Sequence, residues 1–295
     1  MVRCGSPKVG ATHNMSKKLK DSFYYQPYQL LEKRKTSFAD FSKGKNYYNQ
    51  LAFLFEEASS RNPHTEKETD FLIELTRKYL NVDRPRFLDI ACGTGRHDRI
   101  FAKKGFPIVG IDSSDSLLKI ARQKDKKTLY KKADFRTFKL REKFDCIFSL
   151  WEAYNYLSQP KDIKAFFKQS CLHLKSGGLL VLDSRNFWRK EASLKKVQSR
   201  NFQTDDYDVD LIIRKQTLLK ERVHEGIFMY FLTNKKSGHQ NVIIDQELVR
   251  IFNLRELEQA AGTNFKLLRT FGDFDFKKSY NKQKSERMIV VFQKI

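Results

Sequence analysis

The stretch that decides the fold is Phe87–His97, FLDIACGTGRH, in which a short apolar run leads directly into a glycine-rich turn. Two glycines, Gly93 and Gly95, flank Thr94, and a helix-like segment follows at 99–104. Glycine allows positive φ and lets a ligand approach the bare backbone. The start of a helix adds unpaired N–H groups that point toward such a ligand. The pattern therefore predicts a strand, a turn and a helix that together bind a nucleotide-like molecule.

Strand-like and helix-like segments alternate around this turn. The predicted strands are Phe87–Ala91, Ile108–Ile111, Thr128–Ala133, Phe144–Leu150 and Leu179–Ser184. The predicted helices are 65–80, where Thr65 and Glu68 have capping-box spacing, 116–123, and 161–174, which is ended by Ser176-Gly177-Gly178. Strands separated by helices predict βαβ units, a parallel sheet and a doubly wound α/β fold.

The pattern changes after Trp188. Three strand-like segments joined by polar turns, 208–219, 226–233 and 241–252, predict an antiparallel flap inserted in the α/β domain. A helix then begins at Asn253, with Glu256 at the capping-box position and Gly262 at its end, and a strand pair follows at 265–271 and 288–293. The predicted organisation is a basic extension over 1–36, a Rossmann-like domain over 37–188 and 253–295, and the flap over 189–252.

The chain is strongly basic. Its 295 residues include 57 Lys+Arg against 35 Asp+Glu, a net charge of +22, and 40% are hydrophobic, which is enough for a large core. The excess is spread over the first fifty residues, 119–143 and 266–295, so we favour a solvated lysine-rich surface. A nucleic-acid partner is the less favoured alternative.

Cysteine usage and hydropathy bear on location. Cys4, Cys92, Cys146 and Cys171 form no C-x-x-C pair and no metal-ligand spacing, which predicts a reducing cytoplasm and no bound metal. No apolar run approaches the roughly 18 residues that span a bilayer, so no membrane contact is expected. Residues 1–14 lack the apolar core of a secretory signal, and the natural chain is predicted to begin at Met15.

Two carboxylates follow the glycine-rich turn at informative intervals. Asp112 ends the second predicted strand, 23 residues beyond Asp89 (112 − 89), and an acid at about that separation can bind both ribose hydroxyls of a nucleoside. Asp134 follows the third strand, where a carboxylate can accept from an adenine amino group while Phe135 flanks the ring. The alternatives are helix capping by Asp112 and simple exposure of Asp134.

The turn also indicates which nucleotide is bound. It is G-T-G, with neither the third glycine of G-x-G-x-x-G nor the lysine of a P-loop. Those two features serve pyrophosphate and triphosphate groups, so an adenosine ligand without phosphates fits the turn better.

Five segments together resemble the class I S-adenosylmethionine-dependent methyltransferases: LDIACGTGRH (88–97), VGIDSSDSLLKIAR (109–122), ADFRTF (133–138), KFDCIFSLWEAYNYL (143–157) and LKSGGLLVLDSRN (174–186). The chain is most similar to the small-molecule group with a D-x-A-C-G-T-G-R-H loop, which includes amino-sugar N,N-dimethyltransferases. The resemblance extends from Tyr48 to the end of the chain. It implies a seven-stranded Rossmann-like methyltransferase sheet, S-adenosyl-L-methionine as cofactor and S-adenosyl-L-homocysteine as product.

The resemblance also implies a cofactor site. Against the methionine part and the ribose it places Ala91, Gly93, Gly95, Asp112 and Leu150. Against the adenine it places Leu117, Asp134 and Phe135. Asp89 would orient the loop and the amino group, Arg96 and His97 would either reach the carboxylate or only cap the helix, and Tyr48 and Ser113 complete the set.

The acceptor pocket is expected outside the carboxyl ends of the strands. The candidates there are Trp151, Glu152, Tyr154, Asn155, Asn186 and Trp188, with Tyr47 or Tyr48 closing over them. Glu152 is the candidate base or amine ligand and Tyr154 the second catalytic candidate. Trp151 and Tyr154 have the alternative of being core aromatics, and His224 and His239 are expected at the surface of the flap.

SLWEAYNYL stands where base N-methyltransferases carry N/D-P-P-Y/F, which argues against methylation of a nucleobase. We predict a cytoplasmic methyltransferase, monomeric or homodimeric, that acts on a small-molecule acceptor, at an amine rather than a hydroxyl. The alternatives are an RNA or protein methyltransferase that uses the basic surface and a non-catalytic S-adenosylmethionine-binding protein.

Overall fold

The computed structural model describes residues 48, 50–60, 62–189 and 196–295; the predicted basic extension and Tyr47 lie outside them. The helices are α1 Ala52–Ser60, α2 Thr65–Tyr79, α3 Arg96–Lys103, α4 Asp115–Lys124, α5 Pro160–His173 and α6 Leu254–Ala261. The strands are β1 Phe87–Ile90, β2 Ile108–Asp112, β3 Leu129–Lys132, β4 Phe144–Ser149, β5 Leu174–Arg185, β6 Lys196–Gln203, β7 Tyr207–Leu218, β8 Val223–Asn234, β9 Gln240–Arg250, β10 Phe265–Gly272 and β11 Arg287–Lys294.

The central sheet has seven strands in the order β3-β2-β1-β4-β5-β11-β10. The first five strands pair in parallel, and β11 runs antiparallel to both of its neighbours, β5 and β10. The doubly wound α/β prediction is therefore confirmed. Strand order reverses between β1 and β4, and in open α/β sheets the crevice at such a reversal is where ligands bind.

The centre of the sheet is buried on both faces. All four residues of β1, FLDI, and all six of β4, FDCIFS, are buried. Leu88 and Ile90 pack into the cluster that includes α5 and α6, while Phe87 packs with Phe101 and Phe148 on the opposite face. Continuously buried, largely apolar runs of this kind are typical of parallel strands that are covered on both sides.

The inserted flap is a separate antiparallel sheet in the order β6-β7-β8-β9. It has one strand more than the sequence predicts, because β6 is polar and its described side chains lack apolar alternation. Leu51 and Leu54 at the start of α1 pack against Val209, Leu211 and Tyr230 of the flap. The segment before the α/β domain is thereby fixed against the flap.

Two local predictions are wrong. Helix α5 ends at His173, and Ser176-Gly177-Gly178 lies inside β5, where it coincides with a register shift against β4. The N-cap of α2 is His64 without a side-chain cap, so Thr65 and Glu68 form no capping box. The capping box predicted at the start of α6 is confirmed.

Among the described residues, no helix is long and apolar enough to cross a membrane, and no cluster of His, Cys, Asp and Glu has the geometry of a metal site. The cytoplasmic location and the oligomeric state stay predictions.

Candidate active site

The glycine-rich turn between β1 and α3 takes a backbone shape that excludes most side chains. Ala91, Gly93 and Gly95 have φ values of 65°, 58° and 73°. A Cβ added at Gly95 would lie 2.3 Å from the hydroxyl oxygen of Tyr130. Asp112 holds the turn from β2, because its carboxylate accepts the N–H of Gly93 at 2.9 Å. Two features therefore fix the turn: Gly95 leaves no room for a side chain, and the buried carboxylate of Asp112 accepts the N–H of Gly93.

An inner cavity of about 290 Å³ opens over this turn at the strand-order reversal. Seven of the predicted cofactor-binding residues line it: Tyr48, Asp89, Ala91, Gly93, Arg96, His97 and Leu150. Its remaining walls come from α1, from the region after β4 and from the flap, and include Phe55, Tyr156, Phe228, Asp245 and Glu247. Small-ligand pockets begin at about 300 Å³, so the cavity has the size of a binding site.

The other predicted cofactor residues do not line the inner cavity. Asp112 is engaged by the turn and by the N–H of Ser114 at 2.8 Å, Leu117 is buried, and Ser113 is exposed. Asp134 pairs with Arg136, whose Nη2 lies 2.6 Å from Oδ2 and whose hydrogen bond lowers the pKa of the carboxyl. Phe135 packs edge-on toward Phe166. The ribose and adenine roles of these residues stay predictions.

A buried carboxyl pair lies beneath the turn. Burial raises the pKa of Asp89 to about 8, the neighbouring Asp112 adds to the shift, and the hydrogen bond with Asp98 opposes it. Burial, with the charge of Asp89, also raises the pKa of Asp98. Two neighbouring buried carboxylates would repel each other if both were ionised, so the pair retains a proton at neutral pH.

Trp151, directly after β4, is held in a strained conformation. Trp151 and Glu152 have φ values of 56° and 61°, a region that non-glycine residues rarely adopt and that is found most often at functional sites. The backbone N–H of Trp151 donates to Asp183 Oδ2 at 2.8 Å. Two guanidinium groups lie over the indole ring, with Cζ of Arg96 4.5 Å and Cζ of Arg287 4.8 Å from the ring centroid. The indole is thus held in place just beyond the carboxyl end of β4.

Glu68 on α2 links Trp151 to α3, a role that the sequence analysis missed. Its Oε2 accepts from His97 Nε2 at 2.7 Å and from Trp151 Nε1 at 3.1 Å, and Arg96 Nη2 lies 3.5 Å away. Burial raises the pKa of Glu68, but the hydrogen bonds from His97 and Trp151 and the charge of Arg96 outweigh it and lower the pKa to about 2. Burial, with the charge of Arg96, lowers the pKa of His97 to about 4. A neutral imidazole therefore donates to an ionised Glu68.

A second, outer cavity of about 660 Å³ lies beside the first. The two cavities share Trp151, Arg185 and Lys215 in their walls. The outer one also contains His224, which is buried, bonds Thr217 Oγ1 through Nδ1 at 2.8 Å and has its pKa lowered to about 4 by burial. The prediction that His224 is a surface residue is wrong, whereas His239 is exposed as predicted.

The residues predicted to bind the acceptor have different positions. Trp151 borders both cavities, and Asn186 borders the outer one while its amide donates to the carbonyl of Ser285 at 2.8 Å. Glu152 borders the inner cavity with Oε1 3.2 Å from Arg287 Nη1. Burial alone would raise the pKa of Glu152, but Arg287 and Arg185 outweigh it and lower the pKa.

Tyr154 and Asn155 are corrections to the predicted site. Tyr154 is fully buried and packs against Phe252, and the Asn155 amide donates to the carbonyl of Arg250 at 2.6 Å. Neither residue lines the inner or the outer cavity, because the left-handed pair at 151–152 turns the following 3-10 helix, Ala153–Tyr156, toward the core. Trp188 lies in neither cavity and stacks under Lys282.

A chain of hydroxyl groups crosses the inner cavity instead. The Tyr48 and Tyr156 hydroxyl oxygens are 2.7 Å apart, and the Tyr156 hydroxyl donates to Glu247 Oε1 at 2.8 Å. Burial, with the charge of Glu247, raises the pKa of Tyr156 well above its ordinary value. Tyr156 and Glu247 were not predicted, because their positions 91 residues apart carry no local signal.

Residues 87–178 match the family model described as a methyltransferase domain. The chain is similar to a glycine/sarcosine N-methyltransferase of Parasynechococcus marenigrum, at 26% identity over 78% of this chain and 79% of that protein. It is 31% identical to a dTDP-3-amino-3,4,6-trideoxy-alpha-D-glucopyranose N,N-dimethyltransferase of Streptomyces venezuelae over 48% of this chain, and the match spans about half of that relative, 52%.

The fold is similar to that of solved structures over most of the chain. An S-adenosylmethionine-dependent methyltransferase of Clostridium acetobutylicum superposes with a TM-score of 0.67 at 20% identity, covering 83% of this chain and 97% of that one. An amino pentose methyltransferase of Micromonospora echinaspora, solved with S-adenosylmethionine bound, gives 0.65 at 23% identity, covering 82% and 97%.

Proposed function

We propose that this chain, an S-adenosylmethionine-dependent methyltransferase, transfers a methyl group to an amine of a small-molecule acceptor. The observation that carries the proposal is the junction of the two cavities at Trp151, Arg185 and Lys215. One cavity lies over the glycine-rich turn and the other opens beside it. A donor in the inner cavity and an acceptor in the outer one would therefore meet at this shared wall.

The inner cavity fits the methyl donor in shape and charge. Its floor is bare backbone at Gly93, where an added Cβ would come within 3.1 Å of the Phe55 ring. Carboxylates at Asp245 and Glu247 and the ring of Tyr48 suit the ammonium and sulfonium groups, because aromatic faces and carboxylates both attract cations. Arg96 is placed to pair with a carboxylate.

S-adenosylmethionine, when bound, supplies a methyl group activated by the positive sulfur. The contribution of the protein is alignment of the nucleophile with that methyl group, and positioning of this kind is worth about 7–11 kcal/mol in favourable cases. The fixed indole of Trp151 supplies one wall for this alignment.

An amine must lose its proton to become a nucleophile. Glu152 is poorly suited to accept it, because Arg287 and the Arg185 N–H already engage its carboxylate. We assign this role to Glu247, which would accept the proton through the hydroxyls of Tyr156 and Tyr48. Each hydroxyl would give its proton to the next group and receive one in return, so the chain is restored after transfer.

The relatives favour nitrogen as the accepting atom. The similar proteins of Parasynechococcus marenigrum and Streptomyces venezuelae are both named as N-methyltransferases, of an amino acid and of an amino sugar respectively. Both acceptors are small molecules, which supports the prediction of a small-molecule acceptor for this chain.

The cofactor assignment is tested by calorimetry with S-adenosylhomocysteine on the wild type and on Asp112→Ala. We expect wild-type binding in the micromolar range and a loss of at least tenfold in the variant, because Asp112 holds the turn and is predicted to bind the ribose. Asp115→Ala, which removes an exposed carboxylate of α4, is the control and should bind normally. Equal affinities for wild type and Asp112→Ala would refute the ribose assignment.

The acceptor is tested by transfer of labelled methyl groups into fractionated extract. Label in the small-molecule fraction that survives nuclease and protease supports the proposal. Label that nuclease or protease abolishes would instead identify an RNA or a protein acceptor.

A further inference from the structure

The outer cavity carries an excess of positive charge. Six cationic side chains line it: Lys67, Arg185, Arg189, Arg200, Lys215 and Arg287. Only three carboxylates do so: Glu68, Asp273 and Glu286.

The three carboxylates have partners other than Lys215, Arg185 and Arg200. Glu68 is bound by His97 and Trp151, as described above. Asp273 Oδ1 accepts the backbone N–H groups of Glu286 at 2.7 Å and of Arg287 at 2.9 Å. Glu286 pairs with Arg189 at 3.2 Å. None of these three carboxylates therefore forms an ion pair with Lys215, Arg185 or Arg200.

Two cations of the flap lack a carboxylate. Among the described residues, none has a carboxylate oxygen within 4.0 Å of Lys215 or Arg200. The closest carboxylate of Arg185 is Glu152 at 3.7 Å, and Arg287 competes for it at 3.2 Å. Burial lowers the pKa of Lys215, and the charges of Arg185 and, more weakly, Arg200 lower it further. The charges of Glu247 and Glu152 oppose this shift without reversing it. Three like charges thus share one cavity without full compensation.

The backbone brings these three cations together from two sheets. Arg200 lies on β6 and Lys215 on the neighbouring β7, on the face that also presents Gln198 and Ile213 to the cavity. Arg185 reaches the same space from the end of β5. Lys215 and Arg185 also border the inner cavity, so an anion held by them would lie next to the methyl donor.

We propose that Lys215, Arg185 and Arg200 form an oxyanion subsite that binds a phosphate or carboxylate group of the methyl acceptor. The inference rests on the proposed function, since it names the class of acceptor for the same site. An oxyanion would accept charge-assisted hydrogen bonds from all three cations and relieve their mutual repulsion. Its binding would fix the acceptor at one end and leave the amine at Trp151. The acceptor is therefore an anionic amine.

The test is calorimetric titration of the S-adenosylhomocysteine-saturated protein with two probes, pyrophosphate and succinate. We expect at least one probe to bind the wild type at a single site. Lys215→Met should weaken that binding at least tenfold and Arg200→Gln at least threefold. Lys266→Met, which removes an exposed lysine of β10, is the control and should bind as the wild type does. Preference for pyrophosphate or for succinate then identifies phosphate or carboxylate as the recognised group.

Two results would overturn the inference: no binding of either probe to the wild type, or equal binding by the wild type, Lys215→Met and Arg200→Gln. Arg200→Gln should keep its affinity for S-adenosylhomocysteine, because Arg200 lines only the outer cavity. The probes are also titrated without S-adenosylhomocysteine. If that product fails to bind the wild type, the proposed function fails, whereas product binding without probe binding refutes the oxyanion subsite alone.

Discussion

The two cavities are built in opposite ways. The floor of the inner one comes from a continuous stretch, Phe87–His97, in which neighbouring residues make the turn that a ligand would contact. The outer one is assembled from α2, the ends of β4 and β5, three strands of the flap and the segment before β11. A site made from one turn requires particular residues at consecutive positions, so it can be recognised as a motif in the sequence. A site made from side chains that are distant in sequence requires only that the fold brings them together, so it leaves no such motif.

The sharpest test of this contrast is the turn itself. Gly95→Ala should abolish measurable binding of S-adenosylhomocysteine and cost about 1–3 kcal/mol of stability, because the new Cβ meets the Tyr130 hydroxyl at 2.3 Å in a left-handed conformation. Calorimetry and denaturant unfolding measure the two effects. Gly105→Ala is the matched control, since Gly105 also has positive φ, +84°, but no atom within 4 Å of the added Cβ. Similar losses of binding in both variants would mean that strain alone, and not the packed floor, explains the result.

An intermediate loss of stability is expected when Glu68 is changed, because this residue of α2 contacts Trp151, which borders both cavities. Glu68→Gln removes the charge that His97, Arg96 and Trp151 share and should lower the free energy of unfolding by about 1–3 kcal/mol at pH 7. The folded-state pKa of Glu68 is about 2, below the ordinary value of 4.5, so its stabilisation is present above pH 4.5 and is lost as the pH falls toward 2. Denaturant unfolding should therefore show a smaller difference between wild type and variant at pH 3 than at pH 7.

Glu66→Gln provides the control for that comparison, because Glu66 lies on the same helix with a 73% exposed side chain. It should behave as the wild type at both pH values. A Glu68→Gln protein with unchanged stability would show that the link between α2 and Trp151 is dispensable.

The smallest effect concerns the carboxyl pair under the turn. The folded-state pKa of Asp89 is raised to about 8, so the unfolded chain releases its proton at lower pH and the stability of the wild type should fall as the pH rises from about 4 to 8. Asp98→Asn keeps a neutral hydrogen-bonding partner for Asp89 and should reduce this slope, with a stability gain of about 1 kcal/mol at pH 8. Denaturant unfolding curves of the wild type and the variant at pH 5 and pH 8 measure both the slope and the gain in stability. An identical slope in the variant would contradict the shared proton.

Much of the sheet and the floor of the inner cavity could be predicted from sequence, because each strand and the glycine-rich turn are encoded by short runs of consecutive residues. Glu68 could not, since its spacing from Thr65 suits a helix cap as well as a tertiary contact, and only the fold decides between them. β6 escaped prediction because its polar residues resemble a loop. The burial of Tyr154 could not be predicted either. It follows Trp151 and Glu152, two non-glycine residues with positive φ, and the pattern of apolar residues does not show that the chain changes direction there.

The position of β11 has a consequence for biosynthesis. β5 pairs with β4 on one side, but its other neighbour, β11, is translated about 100 residues later, after the whole flap. At about 5–20 residues per second, the apolar edge of β5 stays open for roughly 5–20 s while five further strands, β6 to β10, emerge from the ribosome. An open edge is a template for wrong pairing. The nascent chain should therefore depend on chaperones during this interval more than the finished sheet suggests.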